Sequence, residues 1–154
     1  MAIRYETMDT QTENFIKSTI NSFFPYLRNA VFELAFDTKK RKSGGRYVIS
    51  KIEKPNEVLR FVSSNEENPE GIDYVLILDK NVWNELSDND KTRVVRHVLQ
   101  HTDVDFEKDM PYGLRKPEVS TFYSEIEYNK DDPEWMERLE TIADSLYTRE
   151  DENE

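Results

Sequence analysis

The sequence predicts an α+β domain, and three observations carry that prediction. Asp73 to Leu78, DYVLIL, is a compact apolar run bounded by Gly71 and Asp79 and reads as a buried strand. Asp88 to His101 follows it with apolar residues at helical spacing. Two shorter β-prone stretches precede that pair and two further helical patterns come after it. The expected architecture is a small three-stranded sheet from the stretches near residues 30–36, 46–52 and 73–78. The helix of residues 88–101 packs on it, and C-terminal helices cover the remaining core. A chain of 154 residues suits one domain, residues 1–148, with a charged tail, 149–154, expected to fray.

In chain order, Thr10-Gln11-Thr12-Glu13 reads as a capping box with Thr10 as N-cap. Ile16, Ile20, Phe23, Phe24 and Leu27 then predict a helix from about Gln11 to Phe24, ended by Pro25. Asn29 to Phe36 alternates, with Val31, Glu33 and Ala35 on one face and Phe32, Leu34 and Phe36 on the other. Arg46 to Ile52 is a second strand, expected to form a hairpin with the first through a turn at Gly44-Gly45. Pro55 to Val62 reads as a short helix and Ser63 to Gly71 as a loop. After the strand at 73–78, KNVWNEL is a turn or short helix in which Trp83 is read as packing. Ser87 with Asp90 three residues on marks the start of the central helix. Val94, Val95, Val98 and Leu99 make its buried stripe, with His97 and His101 flanking the stripe at the edge of a cleft. Thr102 to Gly113 reads as an acidic loop. Val119, Phe122, Tyr123 and Ile126 predict a helix over Glu118–Tyr128. Asp132 and Pro133 open a last helix with Trp135, Leu139, Ile142 and Leu146 facing inward.

Composition narrows the function classes. There is no cysteine, so disulfides and thiolate metal sites are excluded. No apolar run has transmembrane length, and MAIRYETMDTQTEN has no signal-peptide core, which leads to the expectation of a cytoplasmic protein that does not meet membranes. The net charge of −11 is unevenly spread. Residues 1–101 hold 15 acids and 15 bases, whereas residues 102–154 hold 17 acids and 6 bases, so the whole excess lies after His101. That half disfavours nucleic acid phosphates and suits a basic partner or plain solubility. Lys39, Lys40, Arg41 and Lys42 form the one dense basic run; without a wider basic stripe it reads as a solvated loop and not as a nucleic-acid arm.

The residues that carry chemistry are His97 and His101, the two histidines of the chain, four apart in KTRVVRHVLQH. On a helix that spacing brings two imidazoles onto one face, close enough to grip one zinc ion. In the zinc-peptidase pattern H-E-x-x-H, the residue after the first His is the general-base Glu. Here it is Val98. The alternative reading of the pair is two half-buried, hydrogen-bonded rings beside an apolar stripe.

Several segments together resemble the phage metallopeptidase family, small zincin-like proteins encoded largely by phages and prophages. FFPYLRNAVFELAF resembles the family's opening segment and first strand, and KSGGRYVISKI its Gly-Gly turn and second strand. DYVLILDKNVWNELSDNDKTRVVRHVLQH resembles its strand, Trp-bearing turn and motif helix, and GLRKPEVSTF its later segment, which typically reads L-R-x-H-D-V-E-E-F. The resemblance implies a zincin-like minimal domain in which His97 and His101 are the first two metal ligands. It places Val98 at the general-base Glu, Pro117 at the third-ligand His and Glu118 at the acid that follows. Zinc would then be held weakly, by His97, His101 and Glu118 as a vestigial set, or with Asp103 or Asp105 swinging in.

Two functions follow from different classes. One is a catalytically inactive member acting as a protein-binding or inhibitory factor, in anti-defence or host takeover. Its contact surface would be the acidic C-terminal half, including Asp103, Asp105, Glu107 and Asp109. Its partner would be a host or competitor protein, basic or nucleic-acid-binding, with no direct contact to nucleic acid. The other is an active, atypical zinc metallopeptidase using His97, His101 and a carboxylate.

Overall fold

A computed structural model describes residues 3–116 and 128–152, with side chains up to Thr148. The helix expected over Glu118–Tyr128 falls outside these residues except for Tyr128, as do Pro117 and Glu118 themselves. In order, the elements are β1 (Tyr5–Thr7), α1 (Thr10–Phe23), a 3₁₀ turn (Pro25–Leu27), β2 (Phe32–Asp37), β3 (Lys42–Ser43), β4 (Arg46–Tyr47) and β5 (Ser50–Glu53). Then come α2 (Glu57–Ser63), β6 (Tyr74–Asp79), α3 (Lys80–Glu85), α4 (Asp88–Leu99), β7 (Thr102–Val104), β8 (Tyr112–Leu114) and α5 (Trp135–Glu152). The α+β class is as expected.

The main sheet differs from the expected three-stranded one. Among the described residues it has four strands, ordered β1-β2-β6-β5. β6 pairs parallel with β2, Phe32 opposite Tyr74 through Asp37 opposite Asp79, and antiparallel with β5, Ser50 opposite Leu78 through Glu53 opposite Val75. The two early strands are therefore not a hairpin, because β6 lies between them. β6 is apolar on both faces, and a central position satisfies both of its edges. The glycine pair does turn the chain, but only between two-residue strands, Lys42 opposite Tyr47 and Ser43 opposite Arg46. Gly44 and Gly45 both have positive φ, 58° and 80°, which is the requirement of a tight hairpin turn.

One face of this sheet is the core. Tyr74, Leu76 and Leu78 are fully buried on β6 and join Phe32, Leu34 and Phe36, their partners on β2. α1, α3, α4 and α5 supply the other side of the core through Ile16, Val82, Trp83, Val95, Leu99, Leu139 and Tyr147. Trp83 is 2% exposed and meets Phe15 edge to face at 5.8 Å, so it packs as expected. On α4 the expected stripe of Val94, Val95, Val98 and Leu99 is buried throughout. α5 begins at Trp135, later than its expected cap, and presents Trp135, Leu139, Ala143 and Tyr147 inward, with Ile142 and Leu146 half-buried. Its backbone is helical through Glu152.

Caps account for the element starts. Asp9, one residue before the expected Thr10, caps α1 by accepting from Thr12 N at 3.1 Å. Asn56 caps α2, Asp79 caps α3 and Ser87 caps α4, each accepting from the backbone N–H three residues on. Asp79 does a second job: the hydroxyl of Tyr147 donates to its other carboxylate oxygen and ties α5 to the end of β6. Burial pushes the Asp79 carboxyl above the ordinary carboxylate range, with the Tyr147 hydrogen bond opposing that shift. Tyr147→Phe should therefore lower stability by about 1–2 kcal/mol, because a buried acceptor loses its donor. Chemical denaturation of the two proteins checks it; an unchanged midpoint would show that the hydroxyl contributes nothing.

A charged cluster fastens α4 to α5. Asp90, 5% exposed, accepts from Arg93 at 3.2 Å and from Arg138 at 2.6 and 3.0 Å. Arg93 also reaches Asn129 and Asp131, and Arg138 reaches Asp132. Asp131 and Asp132, just before α5, are thus each paired with an arginine.

Candidate functional site

His97 sits in the last turn of α4, and His101 lies just past the helix end, after the Gln100 cap. The four-residue spacing survives this ending: the two rings are 5.7 Å apart, centre to centre, and perpendicular. The position of His101 is set from both sides. Its N–H donates to Val98 O at 3.3 Å, and its carbonyl accepts from Arg115 N at 2.7 Å, one residue past the end of the β7–β8 ladder. Both rings are half-buried.

Burial pushes His97 down to about 4, with the neighbouring His101 adding to the shift. Burial lowers His101 as well, opposed by a hydrogen bond between its ring and the Arg115 backbone. Both imidazoles are therefore neutral at pH 7, which is the form that ligates metal. As a donor set the pair fits two positions of a zinc site, whereas a catalytic zinc takes three protein ligands and one water. Among the described residues no group of three His, Cys, Asp or Glu is placed to hold a metal ion. The candidate third ligand, Glu118, lies outside those residues.

His97 lines a cleft of about 210 Å³ between the Arg46–Ser50 stretch, Val94 and the start of α5. α5 lies across this cleft. Trp135 meets the His97 ring at 6.0 Å, and Leu139 and Glu140 line the same space. Tyr47 helps hold α5 there: its N–H donates to the Glu140 carboxylate at 3.3–3.4 Å, and its ring stacks on Tyr147 at 5.2 Å. Nothing in the sequence flagged Trp135 or Glu140 as cleft residues, since both are far from His97 along the chain. The residue that stands where a general base would be, Val98, is 2% exposed and belongs to the hydrophobic core.

The four acids expected to bind a partner lie elsewhere. The segment expected as a loop contains a hairpin, β7 paired with β8, Thr102 opposite Leu114 and Val104 opposite Tyr112. Asp103 and Glu107 are exposed, while Asp105 holds the turn by accepting from Glu107 N at 3.0 Å. Asp109 lines a separate pocket of about 240 Å³ with Arg60, Glu67, Glu70, Asp73 and Met110. The acidic tip and the histidine cleft do not share a cavity.

A family model described as "Putative phage metallopeptidase" matches residues 4–147. The chain belongs to that family. Neither the curated proteins nor the solved structures gave a match. Within this phage metallopeptidase family member, the match spans every described element from β1 to most of α5, so the histidine pair, the cleft and the acidic hairpin all lie inside it. Among its described residues no helix is long and apolar enough to cross a membrane.

Proposed function

We propose that this phage metallopeptidase-family protein has lost peptidase chemistry and acts as a protein-binding, inhibitory factor, of the anti-defence or host-takeover kind. The observation that carries the reading is Val98. A general base has to accept a proton from water at the metal, and here that position holds an aliphatic side chain packed into the core. The roof that Trp135 and Glu140 make over the His97 cleft supports it, because a peptide would have to displace α5 to reach the ring. The acidic residues after His101, among them the exposed Asp103, Glu107 and Asp109, favour a basic host or competitor protein as the partner.

A second reading is favoured by the persistence of two neutral imidazoles side by side. In it, His97, His101 and a carboxylate such as Glu118 hold zinc in an atypical active site. Metal analysis separates the two. Protein purified without chelator is expected to carry substoichiometric zinc, to melt unchanged in EDTA and to leave a casein substrate intact. It is also expected to retain basic proteins in a salt-sensitive manner. One tightly held zinc per chain, together with EDTA-sensitive proteolysis, would establish the second reading instead.

A further inference from the structure

We propose that α2 and the loop after it form a docking surface for a basic, amphipathic segment of a partner protein. The inference rests on the reading of the chain as a protein-binding factor and specifies the chemistry of its partner. α2 is inverted relative to an ordinary surface helix: Arg60 and Ser63 make polar contacts inward, and three of its four apolar side chains stand largely in solvent, with Leu59 37% exposed. Inward, Arg60 pairs with Asp73 at 3.8 Å, and Ser63 Oγ accepts from Ile72 N at 3.0 Å while donating to Arg60 O. Gly71 locks this arrangement. Its φ is +74°, and a Cβ there would stand 2.2 Å from Arg60 O, so no other residue lets the loop close on the helix. Outward, Val58, Phe61 and Val62 are 70%, 78% and 66% exposed. They stand at i, i+3 and i+4, one stripe on one face. No residue of α2 is buried. A helix held in this orientation by its polar side leaves its apolar stripe for something outside the described chain.

Charge selects the occupant. Glu57 opens α2 beside the stripe, and Glu66, Glu67 and Glu70 follow in the loop, all exposed. Across the pocket that Glu67 and Glu70 line stand Asp109 and Met110 of the hairpin tip; α2 reaches this pocket through Arg60, and Lys54 lines it too. A second copy of the chain would set these acids against themselves, with −11 on each molecule, and an anionic lipid surface would be repelled likewise. A segment with apolar residues at helical spacing and flanking Lys or Arg matches both the stripe and the rim.

The probe is a fluorescein-labelled synthetic peptide of leucine and lysine with leucines at i, i+3 and i+4, titrated with the full-length protein. Phe61→Ser combined with Val62→Ser should weaken binding at least about tenfold with unchanged melting, since exposed side chains make no folding contacts. Glu66→Lys with Glu70→Lys should weaken it and flatten its salt dependence. Equal affinity in the serine variant overturns the proposal. So does a wild-type dimer in sedimentation that the serine variant dissolves, or wild-type binding to anionic vesicles. Binding lost in Asp103→Asn with Glu107→Gln and Asp109→Asn, but kept in the serine variant, overturns this inference and leaves the acidic-half reading standing. Peptide binding absent while basic proteins are still retained has the same meaning, and absence of both overturns the functional reading as well.

Discussion

Placing the missing carboxylate back at its motif position, by Val98→Glu, should destabilise this protein by about 4 kcal/mol or more and should not create a peptidase. Val98 is 2% exposed within the cluster that includes Val94, Val95 and Leu99. A carboxylate forced into such a place loses its hydration without gaining a partner, and total stabilities are only about 5–15 kcal/mol. Two controls isolate the cause. Val98→Ala removes both γ-methyl groups without adding charge and should cost about 2 kcal/mol. A buried Glu is raised above its ordinary value of about 4.3, so the loss in Val98→Glu should be smaller at pH 5 than at pH 8, whereas that of Val98→Ala should not change with pH through this site. Denaturant midpoints at the two pH values measure both. If Val98→Glu keeps the wild-type midpoint at both pH values, the side chain at 98 has access to the cleft. Zinc-dependent cleavage gained by that variant would overturn the proposal of lost chemistry altogether.

The same helix shows what the sequence made legible and what it did not. The start at Ser87 and the stripe Val94, Val95, Val98 and Leu99 were readable because capping and a 3.6-residue period are local properties. The ring pair was readable for the same reason, even though the helix ends at Leu99 and His101 sits beyond it. Sheet order was not local. Gly44-Gly45 signalled a turn correctly, but how far the pairing runs depends on β6, which arrives later in the chain and takes the position between β2 and β5. β1 was missed because Tyr5, Glu6 and Thr7 are all exposed and carry no period to read. β7 and β8 are three residues each inside an acidic stretch, too short to show alternation. The roof over His97 could not be read at all. Trp135 at helical spacing with Leu139 predicts only an inward face, and which cavity that face closes is decided by Tyr47 meeting Glu140 and Tyr147. The outward stripe of α2 has the same origin: Val58, Phe61 and Val62 have a core-like pattern, and the polar ties of Arg60 and Ser63 turn it to solvent.

Asp90→Asn should cost about 2–3 kcal/mol at pH 7, roughly 5–10 °C in melting temperature for a chain of this size, and the gap to wild type should close in acid. The Asp90 side chain is 7% exposed and that of Arg93 10%, so removing the charge leaves a buried guanidinium short of its anion. Arg138 is 41% exposed and retains Asp132, and Arg93 retains Asp131 and Asp132; these remaining partners keep the loss below that of an isolated buried pair. Hydrogen bonds from Arg138 above all, and then Arg93, hold the Asp90 carboxyl below the ordinary carboxylate range. Its folded value is thus depressed relative to about 3.9 in the unfolded chain, so its contribution is fully present above that value and is lost as pH falls through the folded one. Asp79 runs the other way: burial raises its folded value, so its ionisation costs stability as pH rises. Both proteins contain Asp79, so its effect cancels in the difference and the acid limb of the gap belongs to Asp90. Denaturation of wild type and Asp90→Asn between pH 7 and about 3 measures that limb. No gap at pH 7, or a gap that stays constant over the range, would mean that the Asp90 charge does not set the stability of the α4–α5 junction, which is then held by shape.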